Sequence, residues 1–355
     1  MRVGILTSGG DCQALNATMR GLALTLYRNV KDVEIIGFID GYKGLMYEKY
    51  KKMKPKDFYD ILNVGGSILG NSRCPFKRMR IIENGFDKVK AMKNTYKKLE
   101  LDCLVVLGGN GSIKSANMLS QEGLNVIALP KTIDNDAWGT DYTFGYSSAT
   151  AIATRYLDEI KTTAASHSRV FVIEVMGHKV GHICLSAGIA AGADVILLPE
   201  ITYDIKVVAK KVKETLKNEK NYAIIACAEG AISEADALMK RKDYKAKVLA
   251  RNGRSVAYEV ADELSQEIDA EIRVSCIGHA QRGGHPDSYD REISTRFGVE
   301  GARLIIKKHY GEYVVLQGNH VTHIPLEATA GKLKYVDTEG EIVQSAKLVG
   351  ISFGE

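Results

Sequence analysis

Along the sequence, short apolar, β-branched runs alternate with longer segments of helical spacing. The apolar runs are Val3 to Leu6, Ile35 to Ile39, Leu104 to Leu107, Val126 to Leu129, Val170 to Val175, Val195 to Leu198, Tyr222 to Ala226 and Tyr313 to Leu316. The helical segments include Ala14 to Tyr27, Ile113 to Leu119, Ala149 to Ile160, Ile205 to Leu216 and Ser255 to Gln266. Strand followed by helix, repeated along a chain, predicts an α/β protein with parallel sheets.

Glycine-bearing loops lie between these predicted elements, at Ser8 to Asp11, Gly108 to Ser112, Met176 to Gly177 and Gly283 to Gly284. A glycine turn that leads from a strand into a helix exposes backbone N–H groups and the positive end of the helix dipole to an anion. One such turn needs no ligand, because tight turns require glycine for conformational reasons. The loops Ser8 to Asp11 and Gly108 to Ser112 both follow an apolar run, and two such turns favour phosphate binding. Neither loop matches the Walker A or the dinucleotide fingerprint.

A polar segment follows the predicted strand Val126 to Leu129 and carries Lys131, Thr132, Asp134 and Asp136. Paired carboxylates beside a lysine suit phosphoryl transfer. One carboxylate can take a proton from an attacking hydroxyl, the other can orient it or hold a metal ion, and the lysine can neutralise charge. An Asx-rich turn that caps a helix is the alternative interpretation.

Cationic and hydrogen-bonding side chains lie near glycine turns and strand ends: Arg73, Arg78, Arg169, Arg273, His279 and Arg282. Arginine binds phosphate through two parallel hydrogen bonds. Any single one of these arginines could be an ordinary surface residue, but their concentration near the glycine turns favours a functional role.

Composition excludes several other classes of protein. The chain has 355 residues, enough for about two domains, and 48 Lys and Arg against 43 Asp and Glu. This near balance argues against a nucleic-acid-binding surface. No segment approaches about 18 uninterrupted apolar residues, and the first apolar stretch is shorter than a signal peptide requires. The cysteines form no C-x-x-C pair, so we expect reduced thiols in a cytoplasmic protein; they are Cys12, Cys74, Cys103, Cys184, Cys227 and Cys276.

Six motifs, in order, resemble the 6-phosphofructokinase family and span nearly the whole chain. They are T-S-G-G-D at Thr7 to Asp11, G-G-N-G-S at Gly108 to Ser112, T-I-D-N-D at Thr132 to Asp136, S-H-S-R at Ser166 to Arg169, E-V-M-G at Glu174 to Gly177, and G-H-A-Q-R-G-G at Gly278 to Gly284. The resemblance implies phosphorylation of fructose 6-phosphate at O1, with Mg²⁺ and usually ATP. The product would be fructose 1,6-bisphosphate, at the committed step of glycolysis.

The resemblance also implies a fold and a division into domains. The expected fold is two Rossmann-like three-layer α/β/α domains with mostly parallel sheets. Residues 1–145 with about 281–331 would form the nucleotide or phosphoryl-donor domain. Residues 146–280 with about 332–355 would form the fructose 6-phosphate domain.

The family's functional residues carry over to positions that match its motifs. Asp134 would be the general base, with Thr132, Asp136 and Lys131 beside it. The sugar phosphate would contact Arg169, Met176, Gly177, His178, Glu229, Arg273, His279 and Arg282. Arg169 and Arg273 would reach across from a neighbouring subunit of a homodimer or homotetramer. The nucleotide would contact Gly10, Tyr42, Arg73, Cys74, Arg78, Gly109, Asn110, Gly111 and Ser112, with Mg²⁺ at Asn110.

Two positions depart from the pattern of the best-known bacterial ATP enzymes. Asn110 replaces an aspartate that associates with Mg²⁺; its amide oxygen can still bind a hard cation but contributes no charge. His178 replaces an arginine that would stabilise the transferred phosphoryl group. These changes motivate an alternative function, a non-catalytic sugar-phosphate sensor. Retention of Asp134 and Thr132 argues against it, as does retention of Arg169, Arg273 and Arg282.

Two further positions disagree about the phosphoryl donor. Lys131 resembles the pyrophosphate-dependent branch, whereas Gly111 resembles the ATP-dependent branch, in which no side chain crowds the α-phosphate of the nucleotide. The combination resembles the mixed-substrate, long-chain bacterial subgroup. We give more weight to Gly111, because a position without a side chain admits the larger donor, while a lysine favours either. The leading prediction is therefore an ATP-dependent enzyme, and the alternative is a pyrophosphate-dependent phosphotransferase.

Overall fold

The structure, a computed structural model, describes residues 1–218, 220–329 and 331–355. The chain divides into two compact units. The first comprises Met1–Ser148 and Arg282–Lys334, and the second comprises Ala149–Gln281 and Tyr335–Glu355. Each unit is thus assembled from two separate stretches of chain. The divisions expected from the resemblance, after residues 145, 280 and 331, lie within three residues of these.

The strands, in chain order, are β1 (Arg2–Ser8), β2 (Glu34–Phe38), β3 (Tyr50–Met53), β4 (Cys103–Gly108), β5 (Val126–Pro130), β6 (Val170–Val175), β7 (Val195–Leu197), β8 (Ala223–Ala228), β9 (Ile272–Cys276), β10 (Glu312–Gln317) and β11 (His320–Pro325). Each apolar run that was predicted to be a strand overlaps one of them, and the runs at β2, β7 and β8 extend one residue beyond the strand. The sequence did not predict β3, β9 and β11.

The α-helices, in chain order, are α1 (Leu15–Asn29), α2 (Tyr42–Met46), α3 (Lys88–Lys98), α4 (Asn110–Gln121), α5 (Tyr146–His167), α6 (His182–Ala190), α7 (Ile205–Asn218), α8 (Glu234–Ala237), α9 (Arg241–Ala250), α10 (Val256–Leu264), α11 (Ser288–Ile306) and α12 (Glu341–Leu348). The five segments with helical spacing correspond to α1, α4, α5, α7 and α10.

The first unit contains a seven-stranded sheet with the order β11-β10-β5-β4-β1-β2-β3. Its five central strands are parallel, while β3 and β11 pair antiparallel at the two edges. Helices cover both faces. Ala128 of β5 belongs to the core beneath α4, whereas the next residue, Leu129, faces α11 at Gly301. Successive side chains of a strand point to opposite faces, so these two contacts place α4 and α11 on opposite sides of the sheet.

Two glycines allow α1 and α11 to cross closely. A Cβ atom at Gly21 of α1 would lie 2.6 Å from the carbonyl oxygen of Thr295, and one at Gly298 of α11 would lie 2.3 Å from the carbonyl oxygen of Thr18. Both contacts are with backbone, which cannot yield as a side-chain end can. Two of the 34 glycines of the chain therefore serve helix packing and not ligand binding.

The second unit contains a four-stranded parallel sheet with the order β7-β8-β6-β9. One face packs on α7 and α10 through a core that includes Val172, Ile225, Val212 and Val260. On the other face, α6 packs on β7 and β8. Both units are therefore three-layer α/β/α structures, as expected. Within the described part of the chain, no helix has both the length and the apolar character needed to cross a membrane.

Candidate active site

The loops after β1 and β4 lie side by side, because Ser8 at the end of β1 is in register with Gly108 at the end of β4. From β1 the chain crosses to β2 on one side, and from β4 it crosses to β5 on the other. Such a reversal of direction leaves a crevice at the carboxyl ends of the two strands, which is the usual ligand position in open α/β sheets. The glycine loops Ser8 to Asp11 and Gly108 to Ser112 therefore border the same crevice.

The second glycine loop forms the N-terminus of α4. Gly109 is the residue before the helix, and Asn110, Gly111 and Ser112 form its first turn. The first N–H groups of a helix have no partners within it and attract anions. The Tyr42 hydroxyl donates a 2.7 Å hydrogen bond to the carbonyl oxygen of Ser112. Tyr42 is fully buried, so its side chain supports this turn, and its contact with a nucleotide stays a prediction.

Gly111 is exposed at this turn, and, apart from its chain neighbours and the backbone of α4 itself, no atom of the described residues lies within 4 Å of the position that its Cβ would occupy. Its φ angle is not in the left-handed region. The backbone would therefore accept any L-residue, and the protein itself gives no packing reason for glycine. The open space lies beside the first turn of α4.

Lys131 lies beneath the first glycine loop with 2% of its surface exposed. Its ammonium group donates to the carbonyl oxygen of Gly10, and a methyl group at Gly9 would lie 3.4 Å from Nζ. Burial lowers the pKa of Lys131, and the positive charge of Arg282 adds to that shift, while the charges of Asp134 and Asp11 oppose it.

Arg282 is the first residue of the segment Arg282–Lys334, which belongs to the first unit. Its side chain contacts the loop after β1. Its Nη1 donates a 2.9 Å hydrogen bond to the carbonyl oxygen of Asp11. A Cβ at Gly10 would approach Nη1 to 2.8 Å, so glycine at that position makes room for the guanidinium. Two cations, Lys131 and Arg282, thus adjoin the loop after β1.

The segment Lys131 to Asp136 follows β5, which pairs with β4 so that Pro130 lies opposite Gly108. Asp134 is half-buried, and its N–H donates a 3.1 Å hydrogen bond to Oγ1 of Thr132. The third strand end therefore brings the carboxylate pair to the edge of the sheet that carries both glycine loops.

Asn135 and Thr143 brace this segment, and sequence reasoning did not select either of them. Asn135 has a left-handed backbone with φ of 54°, and its Oδ1 accepts a 3.0 Å hydrogen bond from the N–H of Thr143. The Thr143 hydroxyl donates a 2.7 Å hydrogen bond to the carbonyl oxygen of Thr132. The sequence could have indicated Asn135, because asparagine tolerates left-handed turns and this one lies between two aspartates.

Asp290 of α11 is a third positioning residue that the sequence did not reveal. It is fully buried and accepts hydrogen bonds from the Tyr142 hydroxyl at 2.8 Å and from the N–H groups of Gly145 and Ser148 at 2.9 Å. Burial raises the pKa of Asp290, and these hydrogen bonds oppose that rise. The carboxyl group fixes the chain that follows Asp134.

Asn110 was expected to hold Mg²⁺. Its Nδ2 donates a 3.0 Å hydrogen bond to the carbonyl oxygen of Lys332, which fixes the amide and leaves Oδ1 as its acceptor atom. Asp136 is buried, and its negative charge raises the pKa of Lys334. The burial of Lys334 itself has the larger effect and lowers this pKa to about 8. Amide and carboxylate oxygens at this edge match the hard ligands that Mg²⁺ prefers.

The segment that contains Arg73, Cys74 and Arg78 begins beside the loop after β1, since the N–H of Gly9 donates a 3.1 Å hydrogen bond to the carbonyl oxygen of Ser72. Arg73 is exposed. Cys74 is half-buried and packs against the apolar core. Arg78 is exposed and forms an ion pair with Glu83 at 2.7 Å.

In the second unit, the loops after β6 and β8 meet through Glu229. Its Oε1 accepts hydrogen bonds from the N–H of Gly177 at 3.2 Å and from that of His178 at 2.5 Å. Met176 is half-buried, and His178 is exposed. The exposed His279 follows β9, the other neighbour of β6. These candidate sugar-binding residues share the carboxyl edge of one sheet.

Arg169 and Arg273 lie at the opposite edge of that sheet. Arg169 immediately precedes β6, and its Nε binds Oε2 of Glu271 at 2.8 Å. Arg273 also pairs with Glu271. The pKa of Glu271 is lowered, chiefly by its hydrogen bond with Arg169. Six strand residues separate this edge from Met176, about 20 Å at 3.3 Å per residue. One chain therefore does not bring these arginines to Gly177 and Glu229.

Comparison with known proteins assigns the family. The sequence model of the Phosphofructokinase family matches residues 2–305. The chain belongs to the phosphofructokinase family. An ATP-dependent 6-phosphofructokinase of Spirochaeta thermophila is 46% identical over 99% of this chain and 97% of its own length. ATP-dependent 6-phosphofructokinase 3 of Bacteroides thetaiotaomicron is 42% identical over 100% of both chains.

Solved structures of phosphofructokinases share the fold. The phosphofructokinase of Saccharomyces cerevisiae superimposes with a TM-score of 0.81 and 28% identity, over 93% of this chain and 45% of the yeast chain. The present chain therefore spans less than half of that protein. A pyrophosphate-dependent phosphofructokinase of Nitrosospira multiformis gives a TM-score of 0.80 at 19% identity, over 99% of this chain and 92% of its own. At that identity the likeness concerns the fold alone.

Proposed function

We propose that this phosphofructokinase family member transfers the γ-phosphoryl group of ATP to O1 of fructose 6-phosphate, giving fructose 1,6-bisphosphate and ADP. This is the committed step of glycolysis. The observation that carries the proposal is the convergence of two glycine loops and the Lys131 to Asp136 segment at adjacent strand ends. The full-length relatives named ATP-dependent 6-phosphofructokinase support it. Detection of both products from fructose 6-phosphate and Mg-ATP tests it.

In this proposal Asp134 accepts the proton of the attacking hydroxyl. A general base must sit on a fixed loop and reach solvent or substrate, and Asp134 is half-buried on a segment that is braced by hydrogen bonds. Thr132 orients the backbone of Asp134, while Lys131 provides positive charge under the donor loop. Proton removal and positioning, together with compensation of charge, are the main tasks of the protein in phosphoryl transfer.

A metal ion fits the donor end of this site. Mg²⁺ would be held by Asn110 together with the donor phosphates, because Asn110 offers an amide oxygen at the first turn of α4. When bound, it would supply positive charge to the transferring phosphoryl group. The replacement of aspartate by asparagine leaves more of that charge compensation to Lys131 and to the helix N-terminus.

The donor assignment depends on Gly111. Its open position admits a nucleotide without crowding, which supports ATP. Lys131, the residue that favours the pyrophosphate alternative, is buried and donates to the carbonyl oxygen of Gly10. Its charge therefore supports the loop itself and would act on either donor, so Lys131 carries less weight than Gly111.

We expect Gly111→Asp to lower kcat/KM for ATP by at least about 10²-fold. Two like unit charges about 4 Å apart repel by about 4 kcal/mol at an effective dielectric constant of about 20, and solvent reduces that figure. Because the space around Gly111 is open, the variant should fold normally. Steady-state kinetics with Gly111→Asn as the uncharged control separates charge from bulk. Equal ATP kinetics for Gly111→Asp and the unchanged chain would contradict the donor assignment.

We further propose that the sugar-phosphate site is shared between two copies of the chain in a homodimer or homotetramer. Arg169 and Arg273 lie about 20 Å along β6 from Gly177 and Glu229, and a hexose phosphate is much shorter than that. Both groups can bind one sugar phosphate only when the arginines come from a second copy. Each arginine now pairs with Glu271, which a phosphate would replace.

We propose a cytoplasmic location as well. All six cysteines are free thiols, and Cys12, Cys103, Cys184 and Cys227 are fully buried. Free thiols persist in reducing compartments.

A further inference from the structure

A cluster of three potential metal ligands lies in the first unit, apart from the glycine loops. His309 follows α11, Glu312 begins β10, and His323 lies in β11. One ligand atom from each residue lies within 4.8 Å of the others. β10 runs parallel to β5, so its first residue is at the amino edge of the sheet. The cluster therefore lies at the edge opposite the strand ends that carry the candidate active site.

The pairing of the two strands explains why Glu312 and His323 are neighbours. In the antiparallel ladder, Val314 is opposite His323 and Glu312 is opposite Pro325. Residues two positions apart on a strand share a face, so Glu312 and His323 are diagonal neighbours on the same face. His309, three positions before Glu312, places its ring centre 5.2 Å from that of His323.

The hydrogen bonding of this cluster is incomplete. Glu312 is only 8% exposed. Its Oε1 lies 3.1 Å from Nε2 of His309, but its buried Oε2 has no hydrogen-bond partner among the described residues. A buried carboxylate oxygen without a partner is costly. A cation between the histidines and Glu312 would remove that cost.

We propose that His309, Glu312 and His323 bind a divalent transition-metal ion, with Zn²⁺ as the best match. Two imidazoles and one carboxylate suit Zn²⁺, whereas Mg²⁺ prefers oxygen ligands alone. Ligands at about 2.0–2.2 Å from a tetrahedral ion lie about 3.4 Å apart. The ligand atoms lie within 4.8 Å of one another, so the widest pair needs to close by at most about 1.4 Å. A water molecule would complete the coordination.

Glu300 of α11 is a positioning residue in this proposal. Its Oε1 lies 3.4 Å from Nδ1 of His323, which makes no hydrogen bond among the described residues. Once the other ring nitrogen binds the ion, Nδ1–H would donate to Glu300, and such a bond fixes the orientation of the ring. The ion would connect the end of α11 to the β10–β11 hairpin. Its proposed role is structural, because the cluster lies at the edge of the sheet away from Asp134.

Isothermal titration of the metal-free full chain with ZnCl₂ alone tests the site. Every chain carries Cys276→Ser, which removes an exposed thiol that could bind zinc. We expect one strong site per chain, and a loss of at least about 100-fold in affinity for both Glu312→Gln and His309→Gln. His320→Gln removes an exposed histidine of the same hairpin and should bind as the parent does. Glu300→Gln should weaken binding by about 10–100-fold.

A second readout is the thermal midpoint, since an ion that binds the folded chain stabilises it. Zn²⁺ should raise the midpoint of the parent and of His320→Gln but not that of Glu312→Gln. Because His309 is half exposed, with 54% of its side chain accessible, His309→Gln should fold even if Glu312→Gln does not. Absence of strong binding in the parent, or equal affinity in the parent and His309→Gln, would overturn the proposal.

Discussion

The Asp134→Asn variant should lose about 10²–10⁴-fold in kcat, the usual contribution of a positioned general base. The amide keeps the shape of the carboxylate, and the backbone hydrogen bond to Thr132 does not involve the side chain. The loop should therefore keep its conformation. Since the amide cannot accept the sugar proton, kcat should fall while KM for fructose 6-phosphate changes little. Steady-state kinetics with titration calorimetry of sugar-phosphate binding separates the two effects.

Asp141→Asn is the matched control for Asp134→Asn. Asp141 is exposed in the same region, and its Oδ2 accepts a 2.7 Å hydrogen bond from the N–H of Gly318, which an asparagine oxygen can also accept. The Asp141→Asn variant should therefore retain nearly full activity. An Asp134→Asn variant that keeps more than a tenth of the parent's kcat would remove Asp134 from the role of base. A sugar-phosphate sensor, by contrast, would show no turnover in the parent chain.

The second large effect concerns the shared site. Arg273→Ser alone should lose about 10²-fold in kcat/KM for fructose 6-phosphate, within the range for loss of one charged partner. Co-refolding Arg273→Ser with Asp134→Asn should restore activity, because a mixed dimer contains one site with both Asp134 and Arg273 intact. Equal mixing yields half mixed dimers with one of two sites active, which is about a quarter of the parent's activity.

The control for this restoration is a mixture of Arg273→Ser with Arg169→Ser. Each site would take both arginines from the partner chain, and each chain in this mixture lacks one of the two. Every site in the mixed dimer is therefore incomplete, and no activity should return. Restoration in this control, or its absence when Arg273→Ser is mixed with Asp134→Asn, would show that the arginines do not act in the site of a partner subunit. The assay is the initial rate of the mixtures at equal total chain concentration.

Eight of the eleven described strands could be predicted, because apolar β-branched runs ended at glycines or polar loops. Helix α11 was missed although it has 19 residues. It contains Gly298 and Gly301, which lower helix propensity, and its formation depends on close packing against α1. That contact joins distant parts of the chain and leaves no local periodic signal.

The candidate site was predicted unevenly for the same reason. The loops that supply Asp134 and Gly111 lie directly after strands, so local sequence identified them. Asp290 was missed because it acts on Ser148, 142 positions away. Tyr42 is buried and donates a hydrogen bond to Ser112, and this support of the turn is visible only in the folded chain.

The donor preference of the unmodified chain decides between ATP and pyrophosphate. The measurement is kcat/KM for Mg-ATP and for Mg-pyrophosphate with the same saturating fructose 6-phosphate, with the sugar bisphosphate detected in both. We predict efficient turnover with ATP and at least about 10²-fold lower kcat/KM with pyrophosphate, a difference of about 2.7 kcal/mol. Efficient turnover with pyrophosphate and none with ATP would contradict the account and make Lys131, not Gly111, the residue that indicates the donor.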